Sequence, residues 1–254
     1  SNIIEDVFKQ KNQPIFISKA CVSGISAINT ASDLIKMGIY DNAIVIGIDV
    51  LSDFVINGFQ SLFALSDEIC RPFDKDRKGI NLGEAGASII LSCKPIKDEF
   101  NVRHLSGSSS NDANHISGPS RTGEGLVRTI KKTINKSGID KKDINFISSH
   151  GTATIYNDEM ESICLDRLGM NKTPLNSMKG FFGHTLGAAG LIETIMSMKM
   201  MEHDLVIKSF GFSESGVSKS INILSENSNG SVDTVLKTGS GFGGVNASLI
   251  ITKN

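Results

Sequence analysis

Short apolar runs alternate with helically spaced segments along the 254 residues. Pro14-Ile15-Phe16-Ile17 stops at Ser18-Lys19, and Ala43-Ile44-Val45-Ile46-Gly47-Ile48 carries no polar side chain at all. Runs of this length, bounded by polar or glycine residues, predict buried strands over 14–19, 43–50, 86–92, 144–149, 174–176, 233–238 and 245–252. The spacing of Ile28, Ala31, Leu34 and Ile35 predicts a helix over 24–38. Further helical segments fall at 121–137, 156–168 and 187–202. Segment 51–85 reads as long loop with short helical turns, and the Ser-, Asn- and Gly-rich 106–120 as a surface loop. Strands that are apolar throughout, alternating with helices, predict α/β layers with sheets covered on both faces. The run Cys93-Lys94-Pro95-Ile96-Lys97-Asp98-Glu99 breaks the alternation, placing a seam near 93–105 between halves 1–97 and 98–254.

Composition narrows the class. With 39% hydrophobic residues and a net charge of −1, the chain has ample core and no basic stripe for a nucleic-acid backbone. No apolar run is long enough to span a bilayer, and no signal-peptide pattern opens the chain. Cys21, Cys70, Cys93 and Cys164 show neither CxxC pairing nor metal-ligand spacing. Free thiols in a reducing cytoplasm are the expectation, with no metal.

Candidate chemistry sits where strands end. Cys21 lies in Ala20-Cys21-Val22-Ser23-Gly24, between the first strand and the first helix. The positive end of a helix favours thiolate over thiol, whereas a buried cysteine is ordinarily inert packing. His150 follows an apolar strand in Ser149-His150-Gly151-Thr152-Ala153-Thr154, and His184 precedes the small-residue helix start Gly187-Ala188-Ala189-Gly190. Each alone reads first as a turn residue satisfied by backbone groups. Lys179 and Glu193 flank His184, and either a reactive-centre role or a surface lysine fits that spacing. Asp158 and Glu161 open a helix, where negative charge is favourable for dipole reasons alone. The loop Thr238-Gly239-Ser240-Gly241-Phe242-Gly243-Gly244 leads into a strand, which disfavours a phosphate cradle and suits close backbone approach to an active centre. Ile56, Phe59, Leu62 and Phe63 offer either a lining for an apolar tunnel or ordinary core.

Taken together, these pieces resemble the β-ketoacyl-acyl carrier protein synthases of the thiolase-like superfamily. The resemblance runs through Ala20–Gly24, the block Cys70-Arg71-Pro72-Phe73-Asp74-Lys75-Asp76-Arg77-Lys78-Gly79 with Leu82–Gly86, the two histidine motifs, and the glycine loop. It implies a thiolase-like layered α/β fold with the first half-domain incomplete, since members carry a long stretch ahead of the nucleophile. It implies a decarboxylative Claisen condensation of an acyl thioester with malonyl-acyl carrier protein, through acyl-Cys21. In that scheme His150 and His184 hold the enolate, and Lys179, paired to Glu193, fixes His184. The amides of Cys21 and Ser240 hold the oxyanion, and Thr152 and Thr154 bind the pantetheine arm. Asp158 and Glu161 support the site, and Phe59 and Phe242 meet the substrate. No cofactor is implied, the substrates being carried on phosphopantetheine. The partners are acyl carrier protein and a second copy in a homodimer, with segment 14–19 near the two-fold axis.

Ser240 departs from the pattern, since relatives place a gating Phe there. A thiolase needs a second cysteine in the C-terminal glycine loop, a chalcone-synthase-like enzyme Asn for one histidine, and a chain-length factor no nucleophile. None of these fits. The rival from another class is a ketosynthase-like scaffold or interaction fragment that does not turn over.

Overall fold

The computed structural model describes residues 7–9 and 12–253, so residues 1–6, 10 and 11 of the expected 1–97 half, and residue 254 of the other, lie outside the described residues. The first helix with both ends among the described residues is α1 (Ser23–Lys36), with Ile25, Ile28 and Ala31 buried. It ends at Gly38, whose φ of +71° lets its N–H and that of Ile39 return to the carbonyls of Ile35 and Leu34. This cap needs a left-handed residue, the conformation glycine adopts without steric cost. β1 (Asn42–Asp49) follows, then α2 (Asp53–Ser61), whose Ser52 hydroxyl accepts the Val55 N–H. β2 (Ala85–Ser92) pairs antiparallel with β1, placing Ile90 opposite Ile44.

The remainder contains β3 (Val102–Asn111), α3 (Glu124–Ser137), β4 (Phe146–Ser148), α4 (Ile155–Arg167), β5 (Leu175–Asn176) and the single turn α5 (Lys179–Phe182). After these come α6 (Ala189–His203), the small ribbon β6 (Leu205–Val206) with β7 (Ser228–Asn229), then β8 (Thr234–Gly241) and β9 (Val245–Lys253). Five strands form one mixed sheet in the order β3-β9-β8-β4-β5, with β4 parallel to both neighbours.

Alternation along β8 and β9 divides the interior into two cores. Leu236 and Ile250 pack with Leu126 and Ile130 of α3 and Met160 of α4. Their neighbours Val235, Leu249 and Ile251 point the other way, onto Ile25 and Ile28 of α1 and Leu191 of α6. On their far side α1 and α6 carry Val45 of β1 and Ile89 of β2. The layers are therefore helices, mixed sheet, helices, and a two-stranded sheet. Each large aliphatic fully buried in these interfaces contributes about 1.5–3 kcal/mol. Two glycines set the α1–α6 crossing. A Cβ on Gly24 would lie 2.6 Å from the Leu191 amide nitrogen, and one on Gly190 2.9 Å from that of Ile25. That close crossing brings together the residues ahead of the two helices, Cys21 and His184. No helix among the described residues is long and apolar enough to cross a membrane.

Four sequence expectations are corrected here. Segment 14–19 forms no strand: apart from an isolated bridge between Lys19 and Cys21 it is irregular, and Ile15 and Phe16 are exposed. An apolar run becomes a strand only beside another strand's N–H and C=O groups, and among the described residues none pairs with it. Residues 106–111 belong to β3, not to a surface loop. Ser106 and Ser110 face α3, donating to the carbonyls of Thr133 and Gly125, so a polar composition concealed a strand seated on a helix. Within 51–85, the short turns consolidate into the nine-residue α2. The β1–β2 sheet is covered on one face only, leaving Ile44, Ile48 and Ile90 exposed among the described residues.

Candidate active site

One cleft of ≈ 810 Å³ collects Cys21, His150, His184, Thr152, Thr154, Phe59 and Phe242. A second cavity of ≈ 420 Å³, lined by Ile17, Ile46 and Ile48, shares Cys21, Phe59 and Phe242 with it. The Phe59 and Phe242 rings stack with centroids 5.2 Å apart. Leu62 and Phe63 also line the larger cleft, whereas Ile56 does not.

Cys21 is delivered by a kink, Ala20 holding φ +45°, a region costly for a residue with a Cβ. Its sulfur is buried, and burial pushes the thiol up to about 11. Lys179 and the N–H groups of Phe242 and Cys21 act in the opposite direction. Loss of water thus outweighs these three, and the neutral thiol is favoured at rest. The amide against the sulfur is that of Phe242. Ser240, whose amide was expected at the oxyanion, lines the same cleft in β8 opposite Asn246 and donates its hydroxyl to Asn246 Oδ1.

His150 leaves the end of β4 in a turn fastened from behind. Glu161 Oε1 accepts the His150 N–H at 2.8 Å and Oε2 the Gly151 N–H at 2.6 Å. Asp158 accepts the N–H of Thr152 at 2.9 Å and of Phe73 at 2.7 Å, tying the turn to the 70–79 block. Burial, with Glu161 nearby, pushes Asp158 up to about 6 against the pull of the Phe73 N–H and Arg77. Gly151 has no room for a side chain: a Cβ would meet Ser177 Cβ at 2.6 Å. The Thr152 and Thr154 hydroxyls bond each other at 2.8 Å.

His184 is held by residues 81–83. Its N–H donates to the Asn81 carbonyl at 2.6 Å, and its own carbonyl accepts the Gly83 N–H at 3.0 Å. A Cβ on Gly83 would sit 2.0 Å from the Phe182 oxygen, so only glycine fits that contact. The two imidazoles meet edge-to-face, centroids 5.2 Å apart.

Lys179 is fully buried and contacts three acceptors: Glu193 Oε1 at 2.7 Å, the His150 carbonyl at 2.6 Å and His150 Nδ1 at 3.2 Å. It therefore positions His150, not His184 as the sequence suggested. Five residues separate Lys179 from His184, but α5 turns its side chain toward the older strand end. On His184, Nδ1 accepts the Leu186 N–H at 3.1 Å. An ammonium and a backbone N–H can only donate, so both rings have an accepting Nδ1 and carry their proton on Nε2. Burial, followed by the charge of Lys179, holds both rings well below the usual histidine range, hence neutral.

Two side chains had escaped the sequence reading. Lys237, fully buried on β8, lies 2.6 Å from Glu193 Oε2 and donates to the carbonyls of Ser149 at 3.0 Å and Ser148 at 3.3 Å. Its signal was a lone charge inside Thr234-Val235-Leu236-Lys237, a strand apolar toward both cores. Asp49, at the end of β1, accepts the Ala188 N–H at 2.9 Å and anchors the approach to α6.

Residues 1–95 match the beta-ketoacyl synthase N-terminal domain, and residues 102–213 the beta-ketoacyl synthase C-terminal domain. The chain belongs to the beta-ketoacyl synthase family. It is 29% identical over 250 residues to 3-oxoacyl-[acyl-carrier-protein] synthase 2 of Rhizobium meliloti, covering 92% of this chain and 59% of that protein. Identity to a putative mitochondrial 3-oxoacyl-[acyl-carrier-protein] synthase of Schizosaccharomyces pombe is 28%, over 92% of this chain and 60% of the relative. Among solved structures, a ketosynthase in complex with its chain length factor from Xenorhabdus doucetiae superposes with a TM-score of 0.93 at 35% identity. That match covers 100% of this chain and 63% of the solved one. The chain thus spans about three-fifths of the length of the relatives it matches, and its fold is thiolase-like.

Proposed function

We propose that this chain carries the condensing centre of a β-ketoacyl-acyl carrier protein synthase, with 1–97 contributing the nucleophile and 98–254 the two histidines. The observation that carries the reading is that Cys21 shares one cleft with two neutral imidazoles, each bearing its proton on Nε2. In the first half-reaction the Cys21 sulfur attacks an acyl thioester, the new C–S bond forms, and the proton passes to the departing pantetheine thiol. A malonyl thioester then loses CO₂. The electron pair of the broken C–C bond moves onto the thioester as an enolate, whose oxygen accepts the N–H groups of His150 and His184. The carbanion attacks the acyl-Cys21 carbonyl. The resulting oxyanion meets the Cys21 amide and a second amide from the 240–242 turn, of which Phe242 already lies at the sulfur. Collapse releases the 3-oxoacyl thioester and returns the thiolate.

Thr152 and Thr154 line the cleft where a pantetheine arm would run, and the Ile17, Ile46 and Ile48 cavity suits the acyl chain. The donor is an acyl carrier protein thioester, and the four free cysteines suit a reducing cytoplasm. A homodimer would cover Ile15 and Phe16. A second reading, a non-catalytic ketosynthase-like scaffold, is favoured by the bare β1–β2 face.

The deciding experiment follows two products. Wild-type protein is expected to form an acyl adduct on Cys21 by mass spectrometry and to release CO₂ from malonyl-acyl carrier protein. Cys21→Ala should lose the adduct and retain decarboxylation. His150→Ala should retain the adduct and lose decarboxylation by about 10²–10³-fold. A folded wild type that does neither belongs to the scaffold reading.

A further inference from the structure

Lys237 has no part in the bond changes above, yet it is fully buried behind the site, against Glu193 and the Ser149 carbonyl. Charged or titratable groups from four directions face it: Glu193 of α6, Lys179 of α5, Glu161 of α4, and the neutral rings of His150 and His184. Glu193 divides its carboxylate, Oε1 to Lys179 at 2.7 Å and Oε2 to Lys237 at 2.6 Å. Each oxygen has its own ammonium, and neither lysine holds both.

That division bears directly on His150. Of the three contacts made by Lys179 Nζ, the one to His150 Nδ1 is the longest, 3.2 Å against 2.6 and 2.7 Å, and so the first to yield. Without Lys237, Glu193 Oε2 would be a buried anionic oxygen with no cation, a costly state relieved by drawing Lys179 onto both oxygens. The Lys179 donor would then leave Nδ1. A ring released at Nδ1 is free to carry its proton there, which turns Nε2 into an acceptor facing an enolate that needs a donor. The contacts of Lys237 with the Ser148 and Ser149 carbonyls fix the strand end immediately before His150, so the same side chain also holds the backbone from which the ring projects.

We propose that Lys237 is a positioning residue of the condensing site. By taking one oxygen of Glu193 it keeps Lys179 on His150 Nδ1 and so keeps the His150 proton on Nε2. The inference rests on the condensing reading for its consequence, but not for its structural content, which the resting protein itself exhibits. Burial lowers the Lys237 ammonium below the ordinary lysine range while Glu193 opposes this, as expected of a cation retained by one carboxylate.

The test is ¹⁵N-histidine NMR of the folded protein, with the His150 ring assigned by its loss in His150→Asn. Wild type should show Nδ1 accepting and Nε2 protonated. Lys237→Met, of similar length without charge, should shift His150 toward the Nδ1-protonated form. Decarboxylation of malonyl-acyl carrier protein should fall on the order of tenfold to a hundredfold, with acylation of Cys21 changed less than about threefold. Lys237→Met/Glu193→Gln should recover the wild-type ring state, because an amide no longer draws Lys179 away. Should Lys237→Met not fold, Lys237→Gln is read the same way, a mixed ring state supporting the role. A wild-type ring state in the folded Lys237 variant overturns the proposal whatever the activity. A wild type with the stated ring state and no decarboxylation would sink the condensing reading and leave this one standing.

Discussion

The two sides of the cleft differ in how they are built. Around His150 nearly every polar group is fastened: Glu161 and Asp158 accept four backbone N–H groups, and Lys179 and Lys237 share Glu193. On the other side of Cys21 the smaller cavity is lined mainly by apolar groups, among them Ile17, Ala20, Ile46, the exposed Ile48 and Phe59, and amides of Phe242 and Cys21 itself lie against the thiol. A group that must donate to a transient oxygen has to be fixed in tautomer and direction before substrate arrives, which needs a dense polar shell. A nucleophile that receives an acyl chain needs apolar room, and directional bonds would obstruct it. Under the proposed condensation, the contrast assigns rigidity to the enolate side and accommodation to the acyl side.

Glu161→Ala should expose that contrast most strongly. The substitution leaves the buried N–H groups of His150 and Gly151 without an acceptor, each costing about 1–3 kcal/mol. A loss on the order of 3 kcal/mol in urea unfolding is expected, together with loss of decarboxylation. Glu161→Gln keeps one accepting oxygen and should lose less. A Glu161→Ala protein as stable as wild type would mean that the turn is held by other contacts.

Acid should separate the two sides next. Both imidazoles are held well below the usual histidine range, first by burial and then by Lys179, so the native protein leaves them neutral while the unfolded chain protonates them below about 6.5. The unfolded state then binds more protons. Stability is unaffected by these rings above pH 6.5 and is lost as pH falls beneath it, by roughly 1.4 kcal/mol per unit for each ring. Decarboxylation should accordingly show no inflection near 6.5 in the folded protein. Cys21, pushed up to about 11, behaves oppositely, and its alkylation should climb about tenfold per unit between pH 7 and 10. Urea midpoints at pH 7.5, 6.5 and 5.5 check the first statement. Midpoints unchanged between pH 6.5 and 5.5, or a histidine-type step near 6.5 in the decarboxylation or alkylation profile, contradict neutral rings.

The sequence was most legible where chemistry and local periodicity coincide. α1, α3, α4 and α6 lie close to their expected spans, α1 and α3 because their apolar faces recur every three or four residues. Cys21, His150 and His184 were recognisable because each stands at the end of an element in an unusual glycine or small-residue setting. What stayed hidden depends on contacts far apart in the chain. Lys179 is near His184 in sequence but bonds the ring of His150, 29 residues away. β3 has a loop's composition partly because the hydroxyls of Ser106 and Ser110 are satisfied by α3 carbonyls, which no local pattern records. Segment 14–19 has the composition of a strand but lacks a neighbour among the described residues. Likewise, the apolar β1 predicted two covered faces, since periodicity reports what a strand can bury and not what is present to bury it.

The smallest expected effect is on that uncovered face, and it decides whether the accommodating side is open in solution. Ile90 is 59% exposed and lies opposite Ile44, also exposed, so Ile90→Thr removes little buried area and should change unfolding free energy by less than about 0.5 kcal/mol. Ile28→Ala, in the core behind the same sheet, should cost about 2–5 kcal/mol and serves as the reference. Concentration supplies the second axis. A face covered by another copy of the chain would raise the wild-type unfolding midpoint with protein concentration, because association stabilises by mass action. Ile90→Thr would then cost well above 1 kcal/mol at high concentration and almost nothing at low. A small loss at every concentration leaves the face open and the contrast intact. A large, concentration-dependent loss would show that the acyl side owes its order to a second molecule, as the enolate side owes its own to buried charge.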